Sequence, residues 1–167
     1  MSSMQLTINT DQLLKAVIAQ PEKLEKNLDH GIDRVLHLFA RGAREEAPKA
    51  FTTLTQSIGI ERNGKLEGTV GPSVNYGQAV EEGTGIFGPD GQPSGVMPPV
   101  ENIHDWVKLV NLTPNDPSMD SADLAWAIAR NIALEGTQAQ PYMQPSYEDN
   151  RKEAERLLNA AINASLN

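Results

Sequence analysis

Two adjacent glutamates, Glu81 and Glu82, are the first residues to test for chemistry, because paired carboxylates often carry general acid and base catalysis. They lie in the stretch NYGQAVEEGT, residues 75–84. Neighbouring side chains point to opposite faces of a strand and lie about 100° apart on a helix, so these carboxylates do not converge easily on one substrate atom. The spacing argues against a catalytic dyad.

The three histidines also lack the spacing that metal binding or nucleophilic catalysis requires. His30 and His37 are seven residues apart, about 10 Å along a helix, whereas two metal ligands on one helix need a spacing of three or four. His104 adjoins Asp105, but adjacent helical side chains diverge and no nucleophile elbow accompanies them. A hydrolase that uses Glu81, His104 and Asp105 is the least favoured interpretation. We expect no catalytic residue, metal or cofactor.

The elements that would position these residues begin with two helices. Asp11 is a plausible N-cap for a short helix that runs through Gln20. Over Glu22–Ala47 the apolar residues recur at steps of three and four, which predicts a long amphipathic helix of about 38 Å. Within it, Gly31 and Gly42 indicate either the close approach of another element or a tolerated weakness.

After the long helix the hydrophobic period changes to two. Apolar residues alternate over residues 54–61 and again over residues 66–70, with Asn63-Gly64 between the two runs. Asn-Gly in that position is a strong signal for a β-hairpin. Residues 76–82 fit either a strand or one helical turn, and Gly83 directly after them favours the turn.

A long loop rich in glycine and proline follows, residues 83–99, with the sequence GTGIFGPDGQPSGVMPP. Loops of this length are usually functional or disordered. The apolar residues within it favour a loop that becomes ordered on a partner, and a flexible surface loop is the alternative. The predicted interface residues are Ile86, Phe87, Val96, Met97 and Pro98 of this loop, together with Tyr142 and Met143 further along the chain.

Three helical segments complete the chain. An apolar stripe over residues 100–110 predicts the first, Asp120 begins the second in the pattern of a capping box, and Gly136 ends it. Ser146 opens the last helix. The order of long N-terminal helix, antiparallel hairpin, Gly/Pro-rich loop and C-terminal helices predicts an α+β fold in a single domain over residues 1–167.

Composition narrows the classes of function. The 167 residues include no cysteine, and 22 acidic against 14 basic residues give a net charge of −8, with the excess acids after residue 50. Such a balance disfavours tight phosphate binding. The N-terminal stretch MSSMQLTINT lacks a basic segment followed by an apolar one, and no apolar run approaches the roughly 20 residues that cross a bilayer. We expect a cytosolic protein with no membrane contact.

Several separated stretches together carry a family resemblance. They are Ala47-Pro48 with Leu54, Ser57 and Ile58, then Tyr76, Val80, Glu81, Gly83 and Thr84, then Met97-Pro98-Pro99 with Ile103 and Trp106-Val107, and finally Ala129-Arg130, Ile132, Gly136-Thr137, Pro141-Tyr142-Met143 and Pro145. In order and spacing they resemble the neck and tail-completion proteins of long-tailed bacteriophages, the head-to-tail joining or minor tail components of the lambda-like type. The resemblance spans about residues 47 to 147. The chain departs from it at residues 49–52, where Lys-Ala-Phe-Thr replaces the Val-Asp-Thr-Gly often found there.

The resemblance implies a structural virion protein and not an enzyme. It implies a homo-oligomeric ring, sixfold or a multiple of six, that contacts other neck, connector and tail proteins and through which DNA passes without sequence-specific binding. The location would be the neck or tail of the virion, and the host cytoplasm during assembly. The residues that the resemblance marks as a structural signature are Tyr76, Glu81, Gly83, Thr84 and Trp106. A small monomeric adaptor or regulatory protein is the alternative class.

A ring around DNA also gives the acidic excess a possible role. Carboxylates at the inner wall would repel the polyanion over about 8 Å at physiological salt, whereas basic walls would hold it. Glu61, Glu67 and Asp123 are candidates for such a lining. The alternative is that the charge only keeps the protein soluble.

Overall fold

The computed structural model describes residues 5–48, 52–93 and 95–166, and within them the chain has the predicted α+β fold. The helices are α1 Thr10–Ala19, α2 Pro21–Glu46, α3 Thr52–Ser57, α4 Gly77–Glu82, α5 Val100–Leu109, α6 Ser121–Leu134 and α7 Met143–Leu166. The strands β1 Ile58–Gly64 and β2 Glu67–Pro72 form an antiparallel pair. The long N-terminal helix, the hairpin, the loop and the C-terminal helices therefore follow one another in the expected order.

The first two helices begin where the sequence offers an N-terminal signal. The Asn9 side chain accepts a hydrogen bond from the Gln12 amide at 3.1 Å, so Asn9 is the N-cap of α1 and the prediction of Asp11 was wrong by two residues. Asp11 instead lies in the first turn, where a carboxylate interacts favourably with the helix dipole. Pro21 occupies the first position of α2, where its missing N–H costs nothing.

The core lies between α2 and α7, which pack along each other. Both glycines of α2 face this contact. A Cβ on Gly31 would lie 3.0 Å from the Ala161 Cβ, and one on Gly42 would lie 2.5 Å from the Ser146 Oγ. The close approach that these glycines suggested is therefore confirmed, and the alternative of a tolerated weakness is not needed.

Ser146 does not open α7, as the sequence pattern predicted. The helix begins three residues earlier at Met143, and Ser146 is buried with its hydroxyl donating to the Phe39 carbonyl oxygen at 2.9 Å. Ser146 therefore forms part of the contact with α2 and is not a helix cap. Pro145 is compatible with this start, because a helix tolerates proline in its first turn.

The hairpin forms with a different turn from the one predicted. Leu54 is the buried residue of α3 and not part of a strand. Lys65 and Leu66 form the turn, and the pairing is irregular between Arg62 and Gly64, so that Asn63 is bulged within β1. The carboxylate of Asp29 on α2 accepts the Leu66 amide at 3.1 Å and pairs with Arg62. A contact with α2 therefore fixes the turn.

The chain divides into two compact units, each assembled from stretches that are separate along the sequence. Unit 1 is Met1–Ala47, Thr53–Val74 and Tyr142–Asn167, and unit 2 is Pro48–Thr52 and Asn75–Pro141. Unit 1 holds α1, α2, the hairpin and α7, whereas unit 2 holds α4, the long loop, α5 and α6. The single domain over residues 1–167 stays a prediction.

Unit 2 is organised by α5 and α6, which pack against each other. Its buried residues include Val107 of α5 with Ala125 and Ala129 of α6. Asp120 and Asp123 form the predicted capping box, in which each side chain accepts a hydrogen bond from the backbone of the other. Residues 77–82 form a helical turn, as Gly83 favoured.

Candidate interaction surface

The start of the long loop is joined to the segment that follows α6. The Thr84 amide donates to the Thr137 carbonyl oxygen at 2.9 Å, and the Thr137 amide donates to the Thr84 Oγ1 at 2.9 Å. The Ile86 amide donates to the Glu135 carbonyl oxygen at 2.8 Å. Four positions of the family resemblance, Gly83-Thr84 and Gly136-Thr137, are thereby brought together although they are separated by about fifty residues.

Glycines make this joint possible. Gly83, Gly85 and Gly136 have φ values of +76°, +64° and +94°, which side-chain-bearing residues rarely adopt. A Cβ on Gly85 would lie 2.3 Å from the Glu135 carbonyl oxygen, and one on Gly136 would lie 1.9 Å from the Thr84 carbonyl oxygen. The two backbones touch at these points. Residues 75–84 therefore have a structural role, since Gly83 and Thr84 build the joint.

The other end of the loop is tied to the same helix. The Gly95 amide donates to the carbonyl oxygen of Ala133, in the last turn of α6, at 3.1 Å. A 3₁₀ turn at Gly85–Phe87 follows the joint directly. The described part of the loop is therefore held at two points within the chain, which disfavours both a flexible surface loop and the expected loop that becomes ordered only on a partner.

The four apolar side chains predicted as anchors are exposed on this held loop. Ile86 is 46% exposed, Phe87 42%, Val96 71% and Met97 39%. Pro98 is half-buried. Four exposed large apolar residues in one loop make this loop a candidate site of interaction.

The two remaining interface candidates lie elsewhere. Tyr142 is only 1% exposed and belongs to unit 1, so its ring is not an accessible anchor in this structure. Tyr142 instead fills the core of unit 1 just before α7. Met143 is the half-buried first residue of α7.

The remaining signature residues support the fold of unit 2. Tyr76 precedes α4 as its N-cap, and Glu81 lies half-buried within that helix. Trp106 lies half-buried in α5, and its indole N–H is buried without a hydrogen-bond partner among the residues that the structure describes. The positions of Tyr76, Glu81 and Trp106 are therefore consistent with a structural role in unit 2.

Unit 2 exposes further apolar side chains that sequence reasoning did not select. Leu109, the last residue of α5, is 67% exposed, and Val110 and Leu112 after it are 41% and 42% exposed. On α6, Trp126 is 54% exposed with the Arg130 guanidinium 5.9 Å from its ring centroid. Only Leu134 gave a signal in the sequence, because it lies nearly opposite the buried alanines of α6, whereas Trp126 lies beside them.

The same unit is strongly acidic. Asn75–Pro141 contains nine acidic residues and two basic ones, and no salt bridge forms among its described residues. Two of these carboxylates, Asp116 and Asp120, accept hydrogen bonds from backbone amides. Hydrogen bonds from the Asp123 and Ala122 amides lower the pKa of Asp120, and those from the Ser118 amide and hydroxyl lower the pKa of Asp116. The proposed lining residue Asp123 is likewise engaged in the capping box.

The catalytic candidates do not converge. Among the described residues, His104 hydrogen bonds through Nε2 to the Ser121 hydroxyl at 3.1 Å and not to Asp105 or Glu81. The nearby Asp120 carboxylate accepts the amides of Ala122 and Asp123 as the helix cap. Within residues 5–48, 52–93 and 95–166, no group of three histidine or carboxylate side chains could hold a metal ion.

None of the described helices is both long and apolar enough to cross a bilayer.

Comparison with known proteins adds no relative. No family model matches the chain, and no curated protein or solved structure is detectably similar to it.

Proposed function

We propose that this protein is a structural component of the head-to-tail junction of a tailed bacteriophage, where copies of the chain form a ring that completes the neck or tail. The observation that carries the proposal is the loop of unit 2, which exposes Ile86 and Phe87 while it is hydrogen bonded at its start to the segment after α6 and at Gly95 to the last turn of α6. Four residues of this joint, Gly83, Thr84, Gly136 and Thr137, are among those on which the family resemblance rests.

A held loop is suited to assembly. Binding costs free energy for every side chain and segment that must be ordered, so a loop already fixed in place loses less on association. Its apolar side chains would become buried between subunits, and aromatic anchors such as Phe87 contribute strongly to interfaces. The loop therefore offers a preformed contact and not a segment that must fold first.

A structural role is also favoured over catalysis. The Ser121 hydroxyl and His104 are within hydrogen-bond distance, but a serine nucleophile further requires a group that orients the base and donors that stabilise an oxyanion. Asp120, the acidic residue directly before Ser121, is already used as the N-cap of α6. The pair therefore serves best as a tie between α5 and α6.

Ring formation follows from the geometry of tails, whose joints have rotational symmetry and need a head-to-tail interface that closes. DNA would pass through the ring without sequence-specific contacts, and the exposed Glu61 and Glu67 of the hairpin remain candidates for an acidic wall. The isolated chain need not form the ring, since such rings often close only on their partners.

The test is cryo-electron microscopy of phage particles produced with and without the gene. We expect several symmetric copies at the junction, in a number that is six or a multiple of six, and separated heads and tails when the gene is deleted. Absence of the chain from the particles, or its presence as a single copy, would overturn the proposal and favour the adaptor. A ring whose inner wall is formed mainly by lysine and arginine would exclude the repulsive lining.

A further inference from the structure

Unit 1 carries a basic groove that the loop of unit 2 does not explain. Arg34, His37 and Arg41 lie on one face of α2 and line a groove with α7. Their spacing of three and four residues places them side by side, with the two arginines about 10 Å apart along the helix. All three side chains are exposed. The cationic face stands out on a chain whose net charge is −8.

These two arginines differ from the other arginines of unit 1. Arg62 pairs with Asp29 and Asp33, Arg151 with Glu155, and Arg156 with Glu153, while Arg44 donates to the Ile58 carbonyl oxygen. Among the described residues, Arg34 and Arg41 make neither a salt bridge nor a hydrogen bond. Guanidinium groups without an internal partner can form charge-assisted hydrogen bonds with an external carboxylate.

The floor of the groove is apolar and its far rim is largely neutralised. Leu38 and Leu157 lie at the bottom and belong to the buried cluster between α2 and α7. Glu153 lines the α7 side, but its carboxylate is held by Arg156. Arg34 attracts the same carboxylate electrostatically, and neither Arg34 nor Arg41 forms a salt bridge among the described residues. The groove thus offers two guanidinium groups around a small apolar floor.

The loop of unit 2 presents the complementary combination. Asp90 is exposed three residues after Phe87, in the turn closed by the hydrogen bond from the Gly91 amide to the Gly88 carbonyl oxygen. Glu135, whose carbonyl oxygen accepts the Ile86 amide, is exposed as well. Neither carboxylate has a cationic partner among the described residues. Two acids therefore flank the exposed apolar side chains of the loop.

We propose that the α2–α7 groove of one subunit receives the loop of unit 2 from a second copy of this chain. This inference rests on the proposed ring, and it names the two surfaces that meet. The surfaces are different, so the contact is head-to-tail and can propagate around a ring. A nucleic acid is a poorer occupant, because two arginines neutralise few phosphates and the acidic chain repels a polyanion.

Cysteine cross-linking tests the contact, and the natural absence of cysteine makes every introduced thiol unique. His37→Cys and Asp90→Cys chains are mixed and oxidised over a range of concentrations. We expect a disulfide-linked heterodimer of the two variants. Lys23→Cys on α2 is the matched control, because it lies about 21 Å from position 37 along the helix, and it should give no heterodimer with Asp90→Cys. Failure of the first pair to cross-link at every concentration overturns the groove contact.

Charge reversal tests the electrostatic basis. Arg34→Glu with Arg41→Glu should reduce the cross-linking yield about tenfold or more, because like charges then meet across the contact. Lys23→Glu with Lys26→Glu makes the same change of charge on exposed residues of α2 and should leave the yield unchanged. Introducing Glu135→Arg into the Asp90→Cys chain should restore part of the yield to the reversed groove. An unchanged yield with the reversed groove, or no restoration, overturns the proposal.

Three further outcomes distinguish this inference from the proposed function and from nucleic-acid binding. A ring in particles whose subunits cross-link through other residues overturns the groove contact and leaves the neck assignment intact. A duplex DNA oligonucleotide that binds the native chain but not the Arg34→Glu, Arg41→Glu variant assigns the groove to nucleic acid and overturns the contact between copies. Cross-linked copies of a chain that is absent from particles support the contact and overturn the neck assignment.

Discussion

At the residue scale, the joint between the loop and the segment after α6 requires glycine, because a side chain there would collide with the facing backbone. Gly136 combines a φ of +94° with a position where a Cβ would lie 1.9 Å from the Thr84 carbonyl oxygen. Either feature alone disfavours a side chain, and the second cannot be relieved by rotating a flexible neighbour because the neighbour is backbone.

We expect Gly136→Ala to destabilise unit 2 by more than about 3 kcal/mol, since the two backbones must separate in addition to the strain at positive φ. Gly91→Ala is the matched control, because Gly91 also has a positive φ, +59°, but no atom lies within 4 Å of its Cβ position. That change should cost only about 1 kcal/mol. Hydrogen exchange of the α6 amides measures both. Equal losses in the two variants would show that the close contact is unimportant.

The hydroxyl of Thr84 is the second critical group of the joint. Its Oγ1 accepts the Thr137 amide at 2.9 Å and lies 2.9 Å from the Thr137 hydroxyl. Thr84→Val keeps the shape but leaves that amide without a partner, which should cost about 1–3 kcal/mol in hydrogen exchange of α6. Thr84→Ser retains the hydroxyl and should lose clearly less. A serine variant as unstable as the valine variant would contradict this explanation.

At the element scale, one carboxylate links α2 to the hairpin and makes that link dependent on pH. The hydrogen bond from the Leu66 amide is the largest cause that lowers the pKa of Asp29 below its ordinary value, with the Arg62 guanidinium acting in the same direction against partial desolvation. A lowered pKa in the folded state stabilises the protein above the ordinary pKa of 3.8. That stabilisation is lost as the pH falls through the folded-state value.

Asp29→Asn should therefore reduce the stability of unit 1 most at neutral pH, and the difference from the native chain should shrink below about pH 4. Urea unfolding at a series of pH values measures it. Arg62→Gln is an informative companion because it keeps the Leu66 hydrogen bond, the largest cause of the shift, and should retain part of the pH dependence. A difference between Asp29→Asn and the native chain that does not vary with pH would rule out the linkage.

The same hairpin shows what local sequence predicts and what it does not. The alternating pattern predicted two paired strands, because period two follows from strand geometry alone. Asn63-Gly64 suggested the turn, yet the turn forms at Lys65 and Leu66, where Asp29 of α2 accepts the Leu66 amide. A tertiary partner about forty residues away decided the register, and no local pattern contains that information.

The other errors have the same physical origin. Ser146 has the residue type of a helix cap, but its hydroxyl is buried against the Phe39 carbonyl oxygen in the contact between α2 and α7. Glycines were more informative, since Gly31 and Gly42 correctly indicated a close neighbour without revealing that it was α7. The joint of the candidate surface was also partly predictable, because its residues were selected by resemblance while their pairing was not.

At the scale of the whole molecule, the two units divide the chemical character of the surface. Unit 1 has thirteen acidic and eleven basic residues, whereas Asn75–Pro141 of unit 2 has nine acidic and two basic ones. The described salt bridges all lie in unit 1, and ten of the fifteen exposed large apolar side chains lie in unit 2. Unit 1 therefore pairs more of its charges internally, whereas unit 2 has the more acidic and more apolar surface.

This division predicts that assembly and stability can be separated by mutation at the loop. Ile86→Ser with Phe87→Ser removes two side chains that are 46% and 42% exposed, so the isolated protein should stay folded and lose only about 2 kcal/mol of its free energy of unfolding. Attachment of tails to heads should nevertheless be lost, because the apolar anchors of the interface are gone. Leu14→Ser with Ile18→Ser is the control, as these residues of α1 are 58% and 83% exposed in unit 1, and it should leave attachment intact. Thermal unfolding of the purified variants and particle counts in micrographs give the two readouts. If the loop variant unfolds the isolated protein, then Ile86 and Phe87 belong to the core of unit 2 and the loop is not the assembly surface.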